Sequence, residues 1–558
     1  MKYGYLSIIL LILIFSVGAV CAQDNATDII SAGSDDVISI AETPILQDNG
    51  SSVDEIHIND ANFNQYFDEN NTTNDNVSAD STIFIGEITN KSLFINKPLT
   101  VIPDEDSKIM DSSITFISGS DGSTMYGLTF NNTCGDGAIF VIEAENIAVL
   151  DNIISIVSNI NETGPAILAL NANNFTATAN TITYTGKSDG DLQSRAMVII
   201  ESENATIEDN KFEISIPSMD VDWNATPSVP RSVGIHVTNS SGISFKRNEI
   251  YLNATDVFGE FDTVYVVDIV DSDNAQFDEN QIEALGHKYI YGLVISGKYF
   301  DVIGNSFSIV SDSNYANGID VESNSDGLIK DNEFNVTADS VYAIYTANWG
   351  GDVKVNITNN IINACGTNVF GMSLTGSEVI VDNNIIVRPT LMSDAPPIFD
   401  AFSTQGNYLR QWLPIAADFN TLDDVCDYIE NCDCEGIGSY SIVYNGQFAG
   451  HIAVKNISYL SHISELGYWL TKPLQGRGIM TLSVQSFINQ IFTKTATNRL
   501  VIKCAVGNER SRRIPIRLNF KLEGVERDGE MSADGHYNDL EVFSLLKSEY
   551  EQLINQKS

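Results

Sequence analysis

A repeated asparagine is the feature that most constrains the fold of this chain. In each copy, an apolar or small residue precedes one or two polar residues, Asn, one further residue and an apolar residue, as in 302–307. The copies are separated by 24 to 38 residues and centre on Asn152, Asn180, Asn210, Asn248, Asn280, Asn305, Asn332, Asn360 and Asn384. A period of this size is typical of stacked structural repeats.

Short apolar, often β-branched segments lie between the asparagines, for example 235–237 and 265–267, and they show no helical periodicity. Asn tolerates left-handed backbone geometry, and stacked Asn side chains can bond from one repeat to the next. The pattern predicts short strands joined by turns over 53–384. This part resembles the right-handed parallel β-helix of archaeal adhesin-like surface proteins. That resemblance implies an elongated solenoid with a cell-surface or glycan ligand.

The charge divides the chain in two. The whole sequence has 30 basic and 74 acidic residues, a net charge of −44. Residues 385–558 contain 16 basic and 20 acidic residues, so almost all of the acidic excess precedes them. Such a balance argues against nucleic acid as a partner. Acid pairs such as Asp268 and Asp271 are expected by composition alone, so a binding or structural role is favoured over glycan cleavage.

The first 22 residues have the layout of a secretory signal peptide. Met1 and Lys2 precede an apolar run over 8–20, and small residues follow before a polar stretch. The run is too short to span a bilayer comfortably, so no membrane span is predicted in the mature chain. We expect a signal peptide over 1–22, a polar linker over 23–52 and a secreted or surface location, or a cytoplasmic one if the signal is not used.

The cysteines do not indicate a metal or a disulfide framework. Six remain after signal cleavage, and their spacing is irregular. Cys426, Cys432 and Cys434 lie close together, but no histidine or second cysteine pair completes a tetrahedral set. No metal site is predicted.

A glycine-bearing loop in the last third of the chain suggests a phosphate site. A predicted strand ending near Leu470 leads through Gln475, Gly476 and Gly478 into a helix. Backbone N–H groups at a helix N-terminus bind pyrophosphate, and glycine lets the backbone approach it closely. The Gln475 side chain is expected to donate one more bond. A dinucleotide fold would need a third glycine and a later acidic residue, which are absent.

Several motifs around this loop occur together in one known family. They are 407–414, 467–470, 475–480, 498–504, 508–512 and 537–539. In this order they resemble the RimJ/RimL-type acetyltransferases of the GNAT superfamily, which acetylate protein N-termini, notably of ribosomal proteins. The resemblance implies a mixed α/β GNAT domain over 385–558, acetyl-CoA as substrate, and a protein or peptide N-terminal amine as acceptor.

The resemblance also implies roles for individual residues. Loop amides would hold the acetyl-CoA pyrophosphate, a splay between two strands would seat the pantetheine arm, and a strand amide would polarise the thioester carbonyl. The residues implied in cofactor binding are Leu470, Gln475, Gly476, Arg477, Gly478, Ile479 and Asn508.

Three residues are implied in catalysis. Ser511 would protonate the departing thiolate, and Glu530 would remove a proton from the amine. Glu465, on the strand before the loop, is the competing base. For two of them a purely structural role remains open: Ser511 caps a helix, and Glu530 is an ordinary loop carboxylate.

Two hypotheses follow for the whole chain. It is either an acetyl-CoA-dependent N-acetyltransferase on a secreted or surface stalk, or an adhesin-like binding protein whose acetyltransferase domain is a vestigial or accidental fusion. No linker separates the two parts, and 384–387 is predicted to serve both as a repeat strand and as the first strand of the enzyme.

Overall fold

The computed structural model describes residues 54–133, 137–157, 164–186, 195–216, 231–254, 263–347, 351–431, 438–533 and 535–555. The signal peptide expected over 1–22 and the linker expected over 23–52 lie outside the described residues. Across the described ranges, no helix is long and apolar enough to cross a membrane.

Thirty-four short strands, β1 to β34, make up most of the described chain up to residue 389. In chain order they are Glu55–Ile58, Thr82–Thr89, Ser92–Ile95, Thr100–Met110, Ser113–Phe116, Thr124–Tyr126, Thr129–Asn132, Ile139–Ile142, Ala148–Leu150, Ile153–Val157, Ile167–Leu170, Thr176–Thr178, Thr181–Thr185, Met197–Ile200, Thr206–Glu208, Lys211–Ser215, Arg231–Thr238, Ser244–Lys246, Glu249–Ala254, Thr263–Val270, Gln276–Asp278, Gln281–Gly286, Tyr289–Ile295, Lys298–Ile303, Ser306–Ser311, Tyr315–Val321, Ser325–Lys330, Glu333–Thr337, Ser340–Thr346, Val353–Thr358, Ile361–Cys365, Asn368–Leu374, Glu378–Asp382 and Ile385–Pro389.

These strands pair in parallel, most of them with the strand three positions further along the chain. Thus β22 pairs with β25, and β25 pairs with β28. Eleven strands, β3, β5, β8, β11, β14, β17, β20, β23, β26, β29 and β32, form one sheet, and the rest belong to a longer one. Inward-facing apolar side chains stack from strand to strand, as Phe307 and Phe334 do at 4.9 Å between ring centroids. This part is therefore a large parallel-strand region with a continuous core.

The repeated asparagines form a buried hydrogen-bonded ladder. At each step from Asn152 to Asn384, one Asn donates its backbone N–H and its Nδ2 to the Oδ1 of the next. For Asn248 and Asn280 both distances are 2.9 Å. All nine ladder residues are at most 1% exposed. The stacking expected from the sequence is confirmed.

The sequence suggested that the ladder asparagine itself would adopt the left-handed conformation in each turn. In the structure, the residue before it does so instead. The φ angles of these residues lie between 51° and 69°. Only one of the nine is glycine, and the others pay roughly 1–2 kcal/mol each for this conformation. They are Asp151, Ala179, Asp209, Arg247, Glu279, Gly304, Asp331, Asn359 and Asn383. The strain turns each following Asn inward, where the ladder bonds offset it.

Six further strands, β35 to β40, continue the longer sheet. They are Ser439–Tyr444, Gln447–Ser458, Ile463–Leu470, Arg499–Ala505, Lys521–Met531 and Tyr537–Leu546. Strands β34 to β37 form an antiparallel meander, β37 pairs in parallel with β38, and β38 and β39 both pair antiparallel with β40. A hairpin turn, which the pair Asn445 and Gly446 predicts, lies between β35 and β36.

Seven α-helices accompany the strands in the described part of the chain. In order, α1 to α7 are Phe63–Tyr66, Ala395–Thr404, Gly406–Arg410, Leu422–Asn431, Ile479–Lys494, Glu509–Arg517 and Lys547–Asn555. Short 3₁₀ turns occupy Met392–Asp394, Pro414–Ala417 and Lys472–Leu474. The mixed α/β prediction for the last part is confirmed.

Two helix starts contain residues that commonly cap helices. Thr421, followed three positions later by Asp424, predicts a capping box at α4, and the structure has it: Thr421 N–H donates to Asp424 Oδ2 at 2.7 Å, and Asp424 N–H donates to Thr421 Oγ at 3.2 Å. At α2, Asp394 is the N-cap residue, but its side chain makes no capping bond. Its carboxylate is used instead by the Arg388 guanidinium, at 2.7 and 2.8 Å, and by the Ser441 hydroxyl.

Strand β34 joins the parallel region to the last part without a linker. It pairs with β31 on one edge and with β35 on the other. Ile386 lies in the core of the parallel region, whereas Ile385 and Val387 lie in the core of the following part. The ladder crosses the same junction, because Asn384 N–H donates to Asn445 Oδ1 at 3.0 Å in the β35–β36 turn.

We expect Asn280→Ala to lower the free energy of unfolding by about 3 kcal/mol, because it leaves the buried N–H of Asn248 without an acceptor and removes one of the two hydrogen bonds of Asn248 Nδ2, which keeps only its bond to the Ile207 carbonyl. Gln281→Ala, on the neighbouring exposed position, should change it by less than about 0.5 kcal/mol. Urea denaturation followed by circular dichroism measures both. Equal effects would show that the ladder is not what stabilises the stack.

Candidate functional site

The site begins where two parallel strands separate. Strands β37 and β38 pair only over 463–466 and 499–502. Beyond that point β37 continues to Leu470 and β38 to Ala505 without pairing with each other. The backbone edges of both strands are thereby left open toward a cavity of about 1480 Å³, which is lined on its two sides by 466–470 and 503–505. The splay expected from the sequence is present.

A helix N-terminus opens into this cavity. Gly478 is the N-cap residue of α5, has a φ of 85°, and provides no side-chain cap. The first turn of α5 lines the cavity, together with Gly476 and Gly478. The first N–H groups of a helix have no partner within it, so they remain for an anion. A Cβ at Gly476 or Gly478 would meet no atom of the protein within 4 Å, so both glycines border open space.

The Gln475 side chain does not serve the anion site as expected. Its Nε2 donates to the Tyr408 hydroxyl at 2.5 Å and to the Leu470 carbonyl at 3.1 Å. Its Oε1 accepts from the Arg510 guanidinium. The side chain is thus fixed between three elements of the protein, and it braces the loop. The Gln475 N–H donates to the Lys472 carbonyl at 3.4 Å, so the N–H groups of 476–478 remain as the loop donors for the anion.

The cavity is basic although the chain is strongly acidic. Two carboxylates, Asp418 and Glu530, face six cationic side chains in its lining: Lys455, Lys472, Lys503, Arg510, Arg513 and Arg517. This excess of positive charge suits a ligand with several phosphate groups. The net charge of residues 385–558 gives no hint of it, because the acidic side chains of that part lie mostly elsewhere.

Ser511 lies in the first turn of α6 and does not cap it. Asn508 is the N-cap residue, and its Oδ1 accepts from Ser511 N–H at 3.3 Å. The alternative in which Ser511 is the cap is therefore wrong. Ser511 Oγ lies 3.5 Å from the Tyr468 hydroxyl, whose pKa is raised by burial. Tyr468 is thus a protonated phenol that orients Ser511 at the cavity wall.

The two candidate bases share one lysine. Lys455 Nζ lies 2.8 Å from Glu530 Oε1 and 3.7 Å from Glu465 Oε1. Glu465 also contacts Lys503, with Nζ 3.7 Å from Oε2. The side chain of Glu465 is 12% exposed and that of Glu530 is 27% exposed. Glu465 is therefore enclosed by two ammonium groups, whereas Glu530 lies at the cavity itself.

Two further titratable groups line the cavity in neutral form. Burial lowers the pKa of His451 to about 4, and its Nε2 lies 2.6 Å from Ser439 Oγ. Burial, with Glu541 nearby, raises the pKa of Cys504 to about 12. At neutral pH neither group carries charge. In the described residues, no group of three or more His, Cys, Asp or Glu is placed to hold a metal.

The structure brings most of the predicted site residues to one cavity. Arg477, which is exposed, and Glu465 are not in its described lining. The residues that line it are Leu470, Gln475, Gly476, Gly478, Ile479, Asn508, Ser511 and Glu530. Sequence reasoning missed Lys455, Tyr468 and His451, since a lone Lys, Tyr or His on a strand carries no local signal of a site.

A cavity between splayed strands, with an open helix N-terminus and a basic lining, defines a site for a phosphorylated acyl carrier. A family model described as "Acetyltransferase (GNAT) domain" matches residues 384–521. The protein from Bacillus subtilis (strain 168) named "Putative ribosomal N-acetyltransferase YdaF" is 32% identical over 177 residues, which cover 96% of that protein and 31% of this chain. The chain belongs to the GNAT acetyltransferase family through its last part.

Two further proteins are similar to the last part of this chain. The ribosomal-protein-serine acetyltransferase of Escherichia coli (strain K12) is 31% identical over 107 residues, or 59% of that protein and 19% of this chain. A solved structure of RimL, the ribosomal L7/L12 α-N-protein acetyltransferase in complex with coenzyme A, is 24% identical, covers 29% of this chain and 94% of its own, and has a TM-score of 0.28. The chain is an acetyl-CoA-dependent N-acetyltransferase related to ribosomal-protein acetyltransferases.

We expect Gly478→Val to weaken coenzyme A binding at least about tenfold, because the side chain would fill the space in front of the helix N-terminus. Gly507→Val is the matched control. Gly507 also has a left-handed φ, of 93°, and open space, but it is not in the described lining of the cavity. Calorimetry with coenzyme A should show less than about a twofold change for the control. Equal losses would assign the effect to backbone strain.

Proposed function

We propose that this enzyme transfers the acetyl group of acetyl-CoA to the α-amine of a protein or peptide N-terminus. The observation that carries the proposal is the cavity in which an anion-binding helix start, a hydroxyl and a carboxylate line one space. The names of two relatives refer to ribosomal acceptors, which supports a protein as the acceptor. The comparisons add nothing for the adhesin-like alternative.

The donor is held by contacts that this chain can supply. Backbone N–H groups of the loop and of the first turn of α5 would bind the pyrophosphate, and the basic side chains of the lining would bind the remaining phosphate. The open edges of β37 and β38 would hydrogen-bond the pantetheine amides. An N–H near Leu470 would polarise the thioester carbonyl as charge develops on its oxygen.

Acetyl transfer needs a neutral amine and a protonated leaving group. The amine nitrogen bonds to the thioester carbonyl carbon as the carbon–sulfur bond breaks. Glu530 would accept the proton lost by the amine, because an α-amine with a pKa of about 7.7–8.0 is largely protonated at neutral pH. Ser511 would donate a proton to the departing sulfur, and Tyr468 holds its hydroxyl at the cavity wall.

The contacts of the two glutamates favour Glu530 as the base. Glu530 borders the cavity, and Lys455 is its one cationic contact among the described residues. Glu465 lies between Lys455 and Lys503 and accepts from Asn456 as well. A carboxylate that contacts two ammonium groups and lies outside the described lining is a weaker candidate for the base than one that lies in it. Lys455 would position Glu530 and would also keep its contact with Glu465.

We also propose that the parallel-strand region is one right-handed β-helix that carries the enzyme. The three-strand spacing of its parallel pairs supports one full coil for each repeat. The unbroken ladder supports the same interpretation, because it needs one Asn at the same corner of every coil. The Asn280→Ala experiment tests whether the ladder stabilises these stacked coils.

Glu530→Gln should lower kcat about a hundredfold at pH 7, and the loss should shrink about tenfold between pH 7 and pH 9. The reason is that the acceptor amine is then already deprotonated in solution. Glu465→Gln is the matched control and should show no such recovery. A pH-rate profile with a peptide acceptor measures both variants. Recovery in Glu465→Gln alone would make Glu465 the base.

Ser511→Ala should lower kcat about tenfold to a hundredfold and leave the affinity for acetyl-CoA nearly unchanged. A hydroxyl that meets the sulfur only as charge develops contributes mainly to the transition state. Because Asn508, and not Ser511, caps α6, the helix should remain intact. If binding weakens as much as turnover, Ser511 holds the donor and is not the acid.

A further inference from the structure

A cluster of aromatic rings occupies the outer face of the eleven-stranded sheet. Tyr315 lies next to Tyr291 and Tyr342, with ring centroids 5.5 and 5.3 Å apart, and Tyr342 lies 5.6 Å from Tyr345. These residues come from β23, β26 and β29. All four side chains are partly exposed, while their neighbours within the same strands are buried. The rings therefore form a continuous patch at the surface.

One carboxylate lies within this patch. Asp320 on β26 is in register with Tyr345 on β29, and its charge acts on the Tyr315 hydroxyl. The structure shows no hydrogen bond or ion pair to Asp320 from any described residue. Burial, with a smaller effect of Glu322, raises the pKa of Asp320 to about 7. The carboxylate is thus partly removed from water without a cation beside it. We call Tyr291, Tyr315, Tyr342, Tyr345 and Asp320 the Tyr–Asp site.

A second polar atom beneath the patch also lacks a partner. Asn317 is 0% exposed and is in register with Tyr291 and Tyr342. Its Oδ1 accepts no hydrogen bond from the described residues, and its Nδ2 reaches only the Tyr315 hydroxyl, at 3.4 Å. The buried Asn317 amide oxygen and the partly buried Asp320 carboxylate, three positions apart on β26, both call for a donor.

The residues around Asp320 indicate which kind of hydrogen-bond donor would suit its carboxylate. Strands β20, β23, β26, β29 and β32 contain no Lys, Arg or His. Aromatic faces attract cations, and a carboxylate among them strengthens that attraction. A neutral glycan would not compensate the Asp320 charge, whereas an ammonium group would. The strongly acidic parallel-strand region would also attract a basic polypeptide from a distance.

We propose that the Tyr–Asp site binds the side-chain ammonium of a lysine in a basic polypeptide. The ammonium is placed over the tyrosine faces and against the Asp320 carboxylate. This function is separate from acetyl transfer and does not depend on it. An extended peptide crossing the strands would place further lysines over the same acidic surface.

The test measures binding of a labelled Gly-Lys-Gly-Lys-Gly-Lys peptide to the full chain by fluorescence anisotropy, without acetyl-CoA and at constant salt. The same peptide with Nε-acetylated lysines keeps the shape and removes the charge, so it should bind at least about tenfold more weakly. Asp320→Asn should weaken binding of the charged peptide about tenfold. Tyr315→Leu should weaken it about fivefold, and Tyr315→Phe should keep nearly the wild-type affinity.

Glu283→Gln is the matched control, since it removes the same charge from an exposed position on β22 in the other sheet. It should leave binding unchanged. Equal losses in Glu283→Gln and Asp320→Asn would overturn the proposal in favour of general charge attraction. Equal binding of the charged and acetylated peptides would overturn it as well, and so would binding of a neutral β-glucan oligosaccharide with none of the lysine peptide. Circular dichroism of each variant separates loss of the site from loss of the fold.

Discussion

The hydrogen bonds between buried asparagines are the interaction on which the rest of the structure depends. A parallel stack of short strands must turn a corner in every repeat, and each corner buries backbone groups that the strands themselves cannot pair. From Asn180 onward, each Oδ1 accepts from an N–H and an Nδ2 of the preceding rung, and each Nδ2 also donates to a backbone carbonyl, as Asn280 does to that of Phe245 at 3.0 Å. One residue type at one corner therefore resolves the same problem in every repeat.

The ladder also explains how an enzyme can follow the stack without a linker. An open sheet edge exposes unpaired backbone groups and invites association with other chains. Here β35 covers the edge of β34, and Asn445 accepts the bond that a further repeat would have accepted from Asn384. The hairpin turn thus ends the ladder with the backbone N–H of its last asparagine hydrogen-bonded. Ser486 on α5, which contacts Asn363 on β31, ties the enzyme to the preceding repeat as well.

The sequence was most informative where the physics is local or periodic. The Asn period, the hairpin turn, the capping box at Thr421 and the glycine loop before α5 could all be read from it, because each depends on residues a few positions apart. It also indicated that β34 would belong to both parts. The position of the left-handed residue was wrong by one, since the pattern does not show which residue of a turn carries a positive φ.

Contacts between distant segments could not be read in this way. Lys455 and Glu530 are 75 positions apart and meet only because β36 and β39 both border the cavity. The hydrogen bond from Gln475 to Tyr408 also joins residues 67 positions apart. Because of it, the Gln475 side chain stabilises the loop and does not serve as the expected phosphate ligand. Tyr–Asp packing likewise depends on register between β26 and β29. In each case, the partner is chosen by sheet geometry and not by any local preference of the residue.

The shared strand has a consequence for how the two parts work on one molecule. Flexible tethers give a bound partner an effective concentration that depends on tether length, and they average over many orientations. Here β34 is hydrogen-bonded on both edges, so there is no averaging over orientations of the two parts that it joins. A polypeptide that binds to the parallel strands meets the acetylation cavity at one separation and one angle. Its own length and flexibility, and not those of this chain, then decide which of its ends can reach the acetyl group.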